Sequence, residues 1–204
     1  MSQLILGTSN PAKSLKLREL VKGLSLDLID GFDQILVPEV VETGDSHVEV
    51  AIQKAIVWSR SASVPVISSD GGLEIPSLGS RWSSIHTKRQ TGPDGTSDSS
   101  RTEILLKMLK GKKGDERLVY RTEAVAVAVD GQLLAAWQAH GSECFIADEA
   151  ITYPSQHGGF WLESVLLGPD GQRWWQMSSS EMEKIKEPWV QLKKPVQEFL
   201  AVLY

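Results

Sequence analysis

The stretch L-I-L-G-T-S-N-P-A-K, Leu4 to Lys13, runs from an apolar segment through a polar turn into the start of a helix. Leu4, Ile5 and Leu6 read as a buried strand. Asn10 before Pro11 reads as a helix start, because an asparagine side chain caps free amides and proline fits the first helical position. Thr8, Ser9 and Asn10 then gather where helix amides point outward, and Lys13, one turn in, reaches back over that end. Hydroxyls, an amide and an ammonium at a helix N-terminus favour an anion, most often a phosphate. Taken alone, the same pattern also describes a capped helix after a strand.

Outward from this stretch, a first helix runs over residues 11–22 and stops at Gly23. Residues 24–29 alternate as a strand, and Pro38 keeps residues 35–41 extended. A polar loop, Glu42-Thr43-Gly44-Asp45-Ser46, opens a second helix on which Val48, Ala51, Ile52, Ala55 and Ser59 share one face and Lys54 lies on the flank. A short strand over residues 64–67 leads into Ser68-Ser69-Asp70-Gly71-Gly72, read as a tight turn, before extended structure resumes at Leu73. Residues 77–101 read mostly as loop, with a short helix near residues 81–85. A third helix follows a cap at Thr96 or Ser97. Then come a long strand at Leu118–Val129, a hairpin turn at Asp130-Gly131, a return over residues 132–140 and a separate short strand at 144–146. A hairpin around residues 168–171, a helix after Ser178 and a last helix, Pro188–Leu203, which Pro195 must kink or restart, complete the chain. Strand and helix alternate early and hairpins dominate late, so the fold class is α/β with a mixed sheet.

The 204 residues are 41% hydrophobic and 23% charged, which is ordinary globular composition. A net charge of −5 argues against a nucleic-acid polymer as partner, while leaving room for one nucleotide held by a local lysine cluster. Cys144 is the only cysteine, which rules out an internal disulfide framework and fits a reducing cytoplasm. The first residues, Met1-Ser2-Gln3, carry no basic leader, and no apolar run reaches the ~18 residues of a membrane span. His47, His86, His140 and His157 have no zinc-site spacing; His157, beside a glycine turn, reads as surface loop, with a base contact as the alternative.

No phosphate-loop, dinucleotide or nucleophile-elbow motif is present. What remains is the opening turn, Glu42 in E-T-G, Lys54 in A-I-Q-K-A and Asp70 in S-S-D-G-G-L. In an α/β sheet the carboxyl ends of neighbouring strands share one crevice, and ligands bind there. Two carboxylates suit a hard cation such as Mg²⁺, which bridges to substrate phosphates, and lysines neutralise phosphate oxygens.

T-S-N-P-A-K after a buried strand, E-T-G-x-S before a helix carrying A-x-x-K-A, and a strand ending S-D-G-G-L together resemble the inosine/xanthosine triphosphate pyrophosphatase family. The resemblance spans nearly the whole chain, weakens after about residue 90, and returns at Gly158-Gly159-Phe160. It implies Mg²⁺-dependent hydrolysis of a nucleoside triphosphate to the monophosphate and pyrophosphate. It also implies one domain over residues 1–204, with an elongated mixed central sheet and flanking helices forming two lobes around a cleft, and usually a homodimer. Carried over by position, Thr8, Ser9, Asn10 and Lys13 are similar to the triphosphate-binding turn, Lys54 to a phosphate contact, and Glu42 to the metal-side carboxylate. Asp70 is similar to a metal-binding or water-orienting aspartate, Arg89 to the end of a binding loop, and Phe160 to the ring that stacks on the base.

Three departures stand out. Ser69-Asp70 replaces a pair of aspartates, Glu163 replaces an aspartate after the stacking phenylalanine, and Lys186-Glu187-Pro188 replaces the serine-histidine-arginine triplet that helps recognise the purine. The phosphate half of the site is kept and the base half rewritten. The expectation is therefore a pyrophosphatase of altered base preference, its alternatives a nucleotide-binding protein without catalysis or a pyrophosphatase for a pyrimidine or modified nucleotide.

Overall fold

A computed structural model describes residues 2–33, 38–151 and 161–204. The elements are β1 (Ser2–Leu6), α1 (Pro11–Val21), β2 (Leu26–Asp30), α2 (His47–Ser59), β3 (Val66–Glu74), α3 (Thr87–Gln90), α4 (Asp98–Met108), β4 (Leu118–Val129), β5 (Gln132–Ile146), β6 (Leu166–Leu167), α5 (Ser179–Lys184) and α6 (Pro188–Leu203). The six strands form one sheet in the order β2-β1-β3-β4-β5-β6. β1 runs parallel to β2 and to β3, whereas β5 and β6 pair antiparallel. This is the mixed α/β class read from the alternation of elements.

The chain divides into two compact units, one of residues 1–71, 123–139 and 188–204, the other of 72–122 and 140–187. In the first unit, strand alternation sends side chains to two different cores. Leu4, Leu6, Ile67, Val125 and Val127 pack with Leu17 and Leu20 of α1 and with Leu192, Val196 and Leu200 of α6. On the opposite face, Ala51 and Ala55 of α2 lie on Ala124, Ala126 and Ala128 of β4. Ile5 and Val66 pack there against Trp58. Each large aliphatic chain buried this way contributes about 1.5–3 kcal/mol relative to exposure. α6 also tethers α1, because Gln197 Nε2 donates to the carbonyls of Leu20 and Lys22 at the end of that helix.

The second unit has its own core, built around Leu73, Leu105, Leu109, Ile146, Leu162 and Trp174. Two buried arginines organise its loops. Arg101 donates to the carbonyls of Lys88, Gly92 and Pro93, and Arg117 to those of Leu109, Lys112, Ile146 and Ala147. Burying a guanidinium is tolerable when each N–H finds such an acceptor.

Several sequence expectations change. The tight turn at residues 68–72 is instead the middle of β3, one unbroken strand. Neither Gly71 nor Gly72 has positive φ, so these glycines do not turn the chain. Gly71 instead makes room, since a Cβ there would fall on the carboxylate of Glu123. β5 runs straight into the segment expected as a separate strand at 144–146. The expected helix near residues 81–85 is replaced by 3₁₀ turns at Pro76–Arg81 and Ser84–His86, followed by α3. α6 continues as one helix with Pro195 inside it. Of the extended segment expected at residues 35–41, residues 35–37 lie outside the described ones, and 38–41 form no regular element. The Asp130-Gly131 hairpin holds, with φ of 50° and 75° at its two central residues, as a type I′ turn requires.

Gly7, at the exit of β1, is hemmed in. A Cβ there would fall on Ser68 Oγ and lie 2.6 Å from Val66 Cγ1. Gly7→Ala is expected to lower the unfolding free energy by about 1–3 kcal/mol, as overpacking does. Urea denaturation measures it, and an unchanged midpoint would contradict the packing described.

Candidate functional site

The chain leaves β1 through Gly7 and enters α1 by two local bonds. Asn10 N–H donates to Thr8 Oγ1 (3.1 Å), and Ala12 N–H donates to Asn10 Oδ1 (3.0 Å). The side-chain oxygens of Thr8 and Asn10 therefore shape the turn, as an N-cap does. Ser9 is exposed on it. Lys13 lies one turn into α1 with its ammonium 4.0 Å from Asp70 Oδ1.

The loop before α2 is pinned to that helix. Gln53 Oε1 accepts from the amides of Thr43 and Gly44, and Gln53 Nε2 donates to Thr43 Oγ1. Ser46 caps α2 by accepting from the Glu49 amide, while Glu49 accepts from the Asp45 amide. Gly44 is required by close approach, since a Cβ would meet the Glu49 side chain at 2.8 Å. These bonds hold Glu42 and His47 at one end of α2. Lys54, two turns along, is not a solvated flank residue. Its ammonium donates to Asp70 Oδ1 at 2.7 Å and pairs with Glu42 Oε1 at 2.8 Å.

Asp70 is the centre. It lies on β3, on the same face as Val66, which faces α2. Its Oδ2 is 2.6 Å from His47 Nδ1, and its Oδ1 faces Lys54 and Lys13. Burial by itself would raise the Asp70 pKa, but the charge of Lys13, the His47 hydrogen bond and Lys54 outweigh it and hold the carboxyl well below the usual range. An ionised carboxylate only accepts, so His47 donates through Nδ1. Burial is also the largest influence on both lysines. It wins at Lys13, whose pKa is lowered with help from Lys54, and loses at Lys54, which Asp70 and Glu42 push upward.

The structure thus brings Lys13, Glu42, Lys54 and Asp70 together, as the sequence reading expected. Ser69 lies beside Asp70 in sequence, but alternation sends it to the other face of β3, where its Oγ is buried with no hydrogen-bond partner among the described residues. Two members escaped the sequence reading. His47 was set aside with the other histidines, although its place directly after the Ser46 cap puts it at a helix N-terminus. Glu123, 3% exposed, stands directly before the Ala-Val alternation of β4. It adds negative potential at Lys13. A carboxylate at the head of an apolar alternating run was the available signal, since buried charges are held near partners.

The remaining expected residues belong to the second unit. Arg89 is exposed on α3, and Glu163 is buried in a 3₁₀ turn, Trp161–Ser164. Phe160 and His157 lie outside the described residues. Lys186 is exposed with φ 51°, and the amides of Lys186 and Glu187 close the end of α5 on the carbonyls of Glu183 and Met182. Glu187 binds Arg121 Nη1 at 2.7 Å, both buried, and the Arg121 guanidinium lies 4.8 Å from the Trp174 ring centre. Glu187 therefore neutralises a buried arginine. The Cys144 thiol sits in the same core, where burial pushes its pKa up to about 11, unsuited to a nucleophile.

Among the described residues no three His, Cys, Asp or Glu side chains converge as metal ligands. Glu42 Oε1 and Asp70 Oδ1 nevertheless converge on one cationic centre, the Lys54 ammonium. That donor pair fits Mg²⁺, which uses one or two carboxylates and completes its shell with water and phosphate.

Because the folded state holds Asp70 below its unfolded pKa, its contribution to stability is present above about pH 4 and lost as the pH falls further. The stability gap between wild type and Asp70→Asn is therefore expected to narrow in urea titrations taken from pH 7 to pH 3. Parallel curves would show that Asp70 is not held ionised.

The chain resembles known proteins along most of its length. A dITP/XTP pyrophosphatase of Syntrophobacter fumaroxidans is 29% identical over 98% of this chain and 83% of its own length. One from Bacillus subtilis is 28% identical over 95% of each. The structure of a HAM1 protein from Coxiella burnetii superposes with a TM-score of 0.76, at 24% identity over 98% of this chain and 99% of that one, which shows a shared fold. The Ham1 family model matches residues 4–187, so the chain belongs to the Ham1 family.

Proposed function

We propose that this chain hydrolyses a nucleoside triphosphate to the monophosphate and pyrophosphate, and that residues 1–204 act as one domain in doing so. The observation that carries the reading is the meeting of two half-buried ammonium groups, Lys13 and Lys54, with the half-buried Glu42 and the buried Asp70, beyond the point where β1 and β3 pair in parallel. Relatives named dITP/XTP pyrophosphatases support the same chemistry.

Lys13 and Lys54 would neutralise triphosphate oxygens, with the turn at Thr8, Ser9 and Asn10 beside them at the α1 N-terminus. Asp70, ionised well below neutral pH, is a weak proton acceptor at pH 7 and a good hydrogen-bond acceptor. Its role is to orient the water that attacks the α-phosphorus as the α–β anhydride bond breaks. Glu42 and Asp70 would hold Mg²⁺, which when bound supplies charge neutralisation on the phosphate oxygens. The charges favour that reading. Two ammoniums and two carboxylates sum to zero, and Glu123 tips the cluster negative, so a polyanion gains little there unless a cation arrives with it. Base preference differs from the inosine and xanthine pattern, because Lys186-Glu187-Pro188 stands where a serine-histidine-arginine triplet is expected and Glu187 is already paired with Arg121.

Incubation with a panel of ordinary and aberrant nucleoside triphosphates and Mg²⁺ should release pyrophosphate, and chelation should stop it. No turnover on any nucleotide would refute the reading. Asp70→Asn is expected to lower kcat by about a hundredfold or more while the protein still unfolds cooperatively. Lys13→Ala is expected to weaken nucleotide binding about tenfold or more in calorimetry, with a smaller effect on stability. The reverse pattern would make this turn a helix cap only.

A further inference from the structure

We propose that His47 is a positioning residue for Asp70, fixing the plane of that carboxylate so that one oxygen stays aimed at the lysines; the proposal rests on the hydrolytic reading above. Four observations carry it. The two Asp70 oxygens have different partners. Oδ2 accepts from His47 Nδ1 at 2.6 Å, and Oδ1 faces Lys54 at 2.7 Å and Lys13 at 4.0 Å. The last torsion of an aspartate is broad, so without a donor on one side the carboxylate plane can turn and draw its other oxygen off the lysines. His47 supplies that donor from a fixed place. It is the first residue of α2, directly after the Ser46 cap, and the next amide, Val48, donates to Gln138 Oε1. The imidazole is 5% exposed, so it has little room to swing.

The fourth observation concerns the far side of the ring. His47 Nε2 is buried with no hydrogen-bond partner among the described residues. A buried acceptor left unmet costs stability, whereas a leucine or phenylalanine at this position would fill the space without that cost. The only bond the imidazole makes among the described residues is the one to Asp70. Packing alone therefore does not explain a histidine here, and holding Asp70 does. Hydrogen-bonded partners behind a working carboxylate commonly set its orientation in this way.

The test compares His47→Leu, His47→Phe, His47→Asn and His47→Gln, first checking each by thermal melting. Pyrophosphate release should show kcat reduced about 10–100-fold in the Leu and Phe variants, with KM within about twofold of wild type. Asparagine can place an amide N–H where Nδ1–H stands and should restore most of kcat; glutamine, whose amide reaches the Nε2 position, should not. Unchanged kcat in the Leu or Phe variant, a loss carried by KM, or equal losses in the Asn and Leu variants would each overturn the proposal. Proton NMR supplies a reading that needs no turnover. Wild type should show a downfield imidazole Nδ1–H resonance that Asp70→Ala abolishes, and its absence from wild type overturns the proposal. If wild type shows that resonance but releases no pyrophosphate from any nucleotide, the hydrolytic reading fails while the hold of His47 on Asp70 stands.

Discussion

One buried carboxylate organises the first unit. Asp70 carries its charge into the interior, and a buried charge is tolerable only when nearly every oxygen lone pair finds a donor. Those donors come from separate parts of the chain. Lys54 and His47 lie two turns apart on α2, and Lys13 lies on α1. The loop carrying Glu42 enters through the same ammonium. Removing either lysine leaves the carboxylates under-neutralised, and removing His47 leaves an Asp70 oxygen without its donor, so the β1 exit, the loop before α2 and the middle of β3 are tied together electrostatically as well as by packing. This coupling lets a short parallel strand pair present a pre-organised site.

The packing around it follows from small residues. Alanines on α2 meet alanines on β4, which lets the helix lie close to the sheet. Glycines serve the same end. Gly7 admits Ser68 and Val66 beside the β1 exit, and Gly71 admits the Glu123 carboxylate beside β3. In the second unit the same physics is spent on structure instead. Arg101 and Arg117 are consumed by backbone carbonyls, and Arg121 by Glu187 and the Trp174 ring. A buried cation there holds a loop in place, whereas in the first unit two half-buried cations meet a buried carboxylate. The difference lies in the partners: carbonyls and a single carboxylate in one case, carboxylates shared between two lysines in the other.

Much of the site was legible before any coordinates. Asn-Pro announced the α1 start, and Asn10 does cap it. Glu42, Lys54 and Asp70 could be picked out because the sequence reads each at a helix start, on a helix flank or in a turn, although Asp70 lies mid-strand. What failed was the reading of the Gly-Gly pair as a turn. Local preference favoured one, but β3 runs on as a strand beside β4 past the end of β1, and Gly71 is there for clearance. His47 and Glu123 were missed for a related reason. A lone histidine or glutamate has a local sequence meaning, and its ionic partner lies at a distant position: 23 residues away for His47 and Asp70.

The sequence by itself determined the helix-start caps and the hairpin at Asp130-Gly131, because these depend on neighbours within a few residues. Only the tertiary structure decided that β3 is continuous, that Glu187 pairs with Arg121, and that His47 and Lys54 take opposite oxygens of Asp70. Those outcomes are set by which strands lie side by side and which side chains share a buried volume. Charges can pair across that volume only after the sheet and helices have brought them there.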